Sequence, residues 1–84
     1  MTIKILYFAA VRDAVGVAEE QLALPGEVTT IAALRHWLAS HGGVWQVLEQ
    51  MASLRCARNQ RMAAFSDCVA AGDEIAFFPP VTGG

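Results

Sequence analysis

Apolar and β-branched residues dominate residues 2–9 (Thr-Ile-Lys-Ile-Leu-Tyr-Phe-Ala), which begin without a helix cap and predict a strand. Arg12 to Gly16 reads as a turn and Ala18 to Leu24 as a second strand, before Pro25-Gly26 breaks the pattern. The period then changes. Ile31, Leu34 and Leu38 fall at offsets of 0, 3 and 7, which predicts a helix with Thr30 as its N-cap. Ala33 stands where a capping box would need Glu or Gln. His41-Gly42-Gly43 stops this helix, and Val44, Val47, Leu48 and Met51 repeat at helical offsets as a second, shorter one. Leu54 to Arg58 reads as a third strand, Asn59-Gln60 as a tight turn, and Arg61 to Phe65 as a fourth strand. Ala71-Gly72-Asp73 makes a turn into a last strand, Glu74 to Phe78. The order ββα(α)βββ predicts an α+β domain whose sheet is covered by helix on one face.

Strand parity divides the residues between the two faces. With Lys4 on the solvent side, Leu6 and Phe8 lie there too, while Ile3, Ile5 and Tyr7 face the helix. In the last strand Glu74, Ala76 and Phe78 point outward, and Ile75 and Phe77 inward. Two strands thus each send a phenylalanine to the side opposite the helix. If the strands are neighbours, Phe8 and Phe78 form an exposed apolar patch suited to a partner, with Met62 as a further candidate.

The chain has 84 residues, 55% of them hydrophobic and 17% charged, enough for one core without metals or disulfides. A net charge of −2 and the lack of any Lys/Arg run argue against nucleic acid or an anionic membrane as a ligand. Arg55, Arg58 and Arg61 read as a solvated strand-and-turn face. Cys56 and Cys68 are too few and too poorly spaced for a zinc site or redox pair, so no metal is expected. No secretory signal or membrane-spanning run is apparent, and a reduced, cytoplasmic protein is expected.

The remaining signal lies at the end. Phe77-Phe78 runs into Pro79-Pro80, then Val81-Thr82-Gly83-Gly84, with no charge in the tail. The prolines end the strand and hold the next residues extended, and the glycines carry no Cβ to obstruct a narrow channel. A frayed chain end would also leave Gly-Gly, and Gly42-Gly43 shows the dipeptide doing an ordinary helix-stopping job. The position after an uncharged apolar run instead predicts a flexible tail, residues 79–84, on a domain of residues 1–78. The reactive group would then be the terminal carboxyl of Gly84.

The segment Asp73-Glu74-Ile75-Ala76-Phe77-Phe78-Pro79-Pro80-Val81-Thr82-Gly83-Gly84 resembles the C-terminus of molybdopterin synthase small subunits. The likeness extends through Lys4 to Phe8, Arg12 to Gly16, Thr30 to Arg35 and Asn59-Gln60. It implies a ubiquitin-like β-grasp fold, a mixed sheet of about five strands. It also implies a sulfur carrier that is not an enzyme by itself and binds no cofactor. An adenylating, E1-like partner would use ATP to activate the Gly84 carboxylate, and a sulfur donor would replace AMP to leave a thiocarboxylate. The large synthase subunit would take up the tail, Pro79, Pro80, Val81, Thr82 and Gly83 lining its path. There the sulfur would pass to cyclic pyranopterin monophosphate. Arg12 matches an arginine commonly found after the family's first strand, where it is expected to fix the turn.

Other readings use the same tail: a carrier for thiamine, cysteine or tRNA thiolation, or a protein modifier joined through Gly84 to lysines. A non-covalent interaction domain is a third. His36 and His41 read as surface or capping residues, Ser66 and Asp67 as loop, and Trp37 and Trp45 as packing around the helices. Asp73 and Glu74 point to opposite faces and make no shared acid–base site. Arg58 shares the inward parity of Leu54 and Cys56, and is expected to snorkel outward from a strand end.

Overall fold

The computed structural model describes residues 1–80. Five strands form one sheet: β1 (Thr2–Tyr7), β2 (Glu19–Ala23), β3 (Arg55–Arg58), β4 (Arg61–Ala63) and β5 (Glu74–Phe78). They lie in the order β2-β1-β5-β3-β4. The first and last strands are central neighbours and run parallel, whereas the other pairs are antiparallel. The parallel ladder extends past both strand ends: the Lys4 N–H donates to the Asp73 carbonyl at 2.9 Å, and the Phe8 N–H to the Phe77 carbonyl at 3.1 Å.

The main helix, α2 (Ile31–Ala39), lies among the core residues on one side of the sheet. Thr30 caps it as the sequence predicts, its Oγ1 accepting the Ala33 N–H at 3.1 Å. Two more first-turn N–H groups are satisfied by the loop after β4: Ile31 donates to the Asp67 carbonyl at 3.0 Å and Ala32 to that of Phe65 at 2.7 Å. The loop is therefore drawn out of the sheet, and β4 ends at Ala63 rather than at Phe65. Ile3, Ile5 and Tyr7 from β1, Ile75 and Phe77 from β5, and Cys56 from β3 meet Ile31, Leu34 and Leu38 of α2 in one core.

The segment expected as a turn, Arg12 to Gly16, belongs to a helix, α1 (Ala9–Val15). Val11 and Val15, four residues apart, are both buried, and Ala10 and Ala14 within the helix are strong helix formers. Gly16 ends α1 at φ 85°, donating its N–H to the Arg12 carbonyl at 2.8 Å. It is the Arg12 main chain that closes this end, since its side chain is exposed beside Asp13 at 3.9 Å.

The second helical stretch divides into a 3-10 turn, Gly43–Gln46, and a single turn of α-helix, α3 (Val47–Gln50). Arg35 of α2 fastens it. Its guanidinium donates to the carbonyls of Leu48 and Met51, the latter at 2.9 Å, and lies over the Phe65 ring at 4.8 Å. Trp45 is half-buried against Tyr7 with ring centroids 5.7 Å apart, and Trp37 meets His41 edge-on at 4.8 Å. The tryptophans thus pack about the helices as expected.

Candidate functional site: the open sheet face and the root of the tail

With α2 on one side, the other side of the sheet is built from the residues of opposite parity. In register across it run Glu19, Leu6, Ala76, Ala57 and Met62, one from each strand. The middle of this row is apolar because Leu6, Ala76 and Ala57 occupy the three central strands. Phe8 and Phe78 follow on the same face as the next row, with Arg55 opposite Phe78. On the other side of the row stand Lys4 and Glu74, also in register. Lys4 is paired with Glu19 at 3.0 Å, so the polar border is internally compensated.

The result is a groove of about 400 Å³ with the two phenylalanines at one end, Met62 at one side and Gln60 with Glu74 at the polar end. Phe8 and Met62 are 45% and 69% exposed, a large apolar surface for side chains of this size. Ala76, expected outward, does point to this face but is buried, because its small side chain sits between Leu6 and Ala57 in register. The structure therefore brings Phe8, Met62 and Phe78 to one surface. Sequence reading missed Ala57 and Gln60, although the parity of β3 could have shown the former.

β5 ends at Phe78, and Pro79 and Pro80 continue from it half-buried and outside regular structure. The tail thus leaves from the phenylalanine end of the groove. Val81, Thr82, Gly83 and Gly84, the remaining candidates, lie outside the described residues.

One element had no sequence signal. Asp73 is buried, and its carboxylate accepts from Arg58 Nε at 2.7 Å, Asn59 Nδ2 at 3.1 Å and the Ala70 N–H at 2.8 Å. Burial works against its charge, but the Asn59, Arg58 and Ala70 donors outweigh it and hold the carboxyl below the usual range. Arg58 does not simply snorkel outward; it turns along the sheet end to this carboxylate. Asn59 and Gln60 form the two-residue turn between β3 and β4 with φ of 52° and 69°, the primed-turn geometry that matches strand twist.

The remaining candidates scatter. His36 sits on the surface beside Glu49, well away in sequence from the groove's residues. Cys56 is buried and Cys68 exposed, and both are free thiols. Among the described residues no three His, Cys, Asp or Glu side chains gather as a metal site would require, and no helix is long and apolar enough to cross a membrane.

Comparison with known proteins agrees with this architecture. The profile of the ThiS family matches residues 5–84. The molybdopterin synthase sulfur carrier subunit of Escherichia coli is 40% identical over 82 residues, covering 98% of this chain and 99% of the relative. That of Haemophilus influenzae is 39% identical with the same coverage. Among solved structures, SAMP1 from Haloferax volcanii, a small archaeal modifier protein, superposes with a TM-score of 0.77 at 26% identity, each chain wholly covered. The fold is the ubiquitin-like β-grasp, and the chain belongs to the ThiS family.

Proposed function

We propose that the chain is the sulfur carrier subunit of a molybdopterin synthase, with the Gly84 carboxylate as the group that carries sulfur. The observation behind this reading is the full-length 40% identity to the E. coli carrier subunit. The apolar groove at the root of the tail supports it, since a carrier must be held by partners while its end is inserted.

A carboxylate resists nucleophiles because its charge is delocalised over both oxygens. An E1-like partner would therefore join it to AMP from ATP, releasing pyrophosphate and creating a good leaving group. A donor of sulfide (HS−) would attack the acyl carbon, the C–O bond to AMP would break with AMP taking the electron pair, and loss of the proton would leave the Gly84 thiocarboxylate. In the large synthase subunit this polarizable sulfur would attack a side-chain carbon of cyclic pyranopterin monophosphate. A C–S bond would form as the C–O bond at that carbon breaks and the oxygen leaves with the electron pair. Water would then cleave the acyl–sulfur bond, leaving sulfur on the pterin and the carboxylate restored. Two such rounds supply the two sulfurs of a dithiolene. The chain itself need not supply a general base, and ATP would be consumed by its partner. Within a partner's groove the Val81 and Thr82 main chain would add strand-like hydrogen bonds, and Gly83 and Gly84, having no side chains, would not obstruct attack at the acyl carbon.

Reconstitution tests the reading. Thiocarboxylated chain, large subunit and cyclic pyranopterin monophosphate should yield the dithiolene product, and deletion of Gly84 should abolish it. Product formed equally well by the deletion variant would refute the mechanism. Isopeptide-linked conjugates on a denaturing gel, without pterin product, would favour the modifier reading.

A further inference from the structure

Asp73 lies where three segments meet, and we infer that it is a positioning residue for partner docking, holding the β3–β4 turn against β5 so that the groove is preformed. This inference rests on the docking role proposed above for the open face. Asp73 is the only buried polar or charged residue among the described residues. A carboxylate taken from water is costly unless its oxygens are bonded, and a turn residue could have stayed exposed. Its three donors come from the end of β3, from the turn, and from the loop before β5.

Asn59 completes the clamp. Its N–H donates to the Glu74 carbonyl at 2.8 Å, and its Oδ1 accepts the Glu74 N–H at 3.0 Å. These bonds act just beyond the last β3–β5 pair, Arg58 with Ile75, where the sheet no longer holds the hairpin. The hairpin needs such support, because β4 is an edge strand making three register pairs, all with β3. Met62, its groove residue, is mostly exposed and contributes little packing of its own. Gln60 is also kept at a positive φ that an unsupported chain would tend to leave. Together Met62 and Gln60 stand across the groove from Phe8 and Phe78. A clamp that fixes this wall lowers the ordering cost of association without touching the chemistry at the tail.

The test is a double-mutant cycle. Asp73→Asn, Met62→Ala and the double variant are titrated calorimetrically against a molybdopterin synthase large subunit, below their melting temperatures, with Arg58→Gln in parallel. Each single change to Asp73 or Met62 should weaken binding about tenfold, and the double variant far less than the roughly hundredfold of independent effects. In sulfur transfer, Asp73→Asn should raise KM and leave kcat unchanged, which a loss of stability alone would not produce. Arg58→Gln should couple to Met62→Ala in the same sense, and it decides the matter if Asp73→Asn does not fold. Folded Asp73 or Arg58 variants that bind like the wild type, or fully independent effects, would overturn the inference while leaving the carrier function intact. A wild-type chain that fails to bind the large subunit would instead remove the docking role itself.

Discussion

Phe8 and Phe78 continue neighbouring parallel strands onto one face of the sheet, where the Phe8 N–H is bonded to the Phe77 carbonyl at 3.1 Å. They mark the point at which the tail departs. Phe8→Ala should therefore separate binding from folding. Because Phe8 is half exposed, unfolding free energy should change by no more than about 1 kcal/mol. Affinity for the large subunit should fall by about tenfold or more, as for an aromatic anchor at an interface. Urea denaturation and calorimetric titration of the same preparation provide both numbers.

Phe77 is the adjacent residue with the opposite role. It is fully buried and stacks against Tyr7 with ring centroids 6.4 Å apart. Phe77→Ala should cost about 3–5 kcal/mol, a large share of the stability of so small a domain. Urea titration should show a midpoint shifted far down, or no folded baseline at all. A cost below about 1 kcal/mol would mean that the face assignment of β5 is wrong.

The two phenylalanines show how much was legible in the sequence. Alternation in β1 and β5 assigned each to its face, and the spacing of Ile31, Leu34 and Leu38 with Thr30 before them predicted α2. Local pattern could not convey that the first and last strands lie side by side in parallel, which alone makes Phe8 and Phe78 one patch. α1 was hidden for another reason: only two of its seven residues, Val11 and Val15, are buried, too short a period to outweigh the glycine at its end. The Arg58–Asp73 pair spans fifteen residues and leaves no local mark, so Arg58 looked like a misplaced cation. The end of β4 was set by the free N–H groups of α2, again a tertiary demand.

Asp73 should give stability a defined acid dependence. Its carboxyl is held below the ordinary range in the folded state, so the folded pKa lies under the unfolded one. The resulting stabilisation is fully present above the unfolded value of about 4 and is lost as pH falls through the folded value. Melting temperatures of the wild type and Asp73→Asn should therefore converge as pH is lowered below about 4. Curves that remain parallel through that range would show that the charge contributes nothing.

The two thiols should differ in reactivity. Burial first, then the nearby Asp67 carboxylate, pushes the Cys56 thiol up despite the opposing Arg35 charge. Its Sγ also donates to the Ala63 carbonyl at 3.3 Å. Iodoacetamide at neutral pH should label exposed Cys68 and spare Cys56 until the chain is unfolded, as peptide mapping would reveal. Equal labelling of the native protein would contradict the packing of β3.

If sulfur travels on the Gly84 carboxyl, the C-terminal peptide must record it. The most direct measurement incubates the chain with an E1-like adenylating enzyme, ATP and a sulfur donor, and weighs the C-terminal peptide by mass spectrometry. This peptide alone should gain the mass of sulfur replacing one oxygen, and omission of ATP should prevent the gain. An unchanged Gly84 carboxylate, under conditions that load a control carrier, would contradict carriage of sulfur on Gly84.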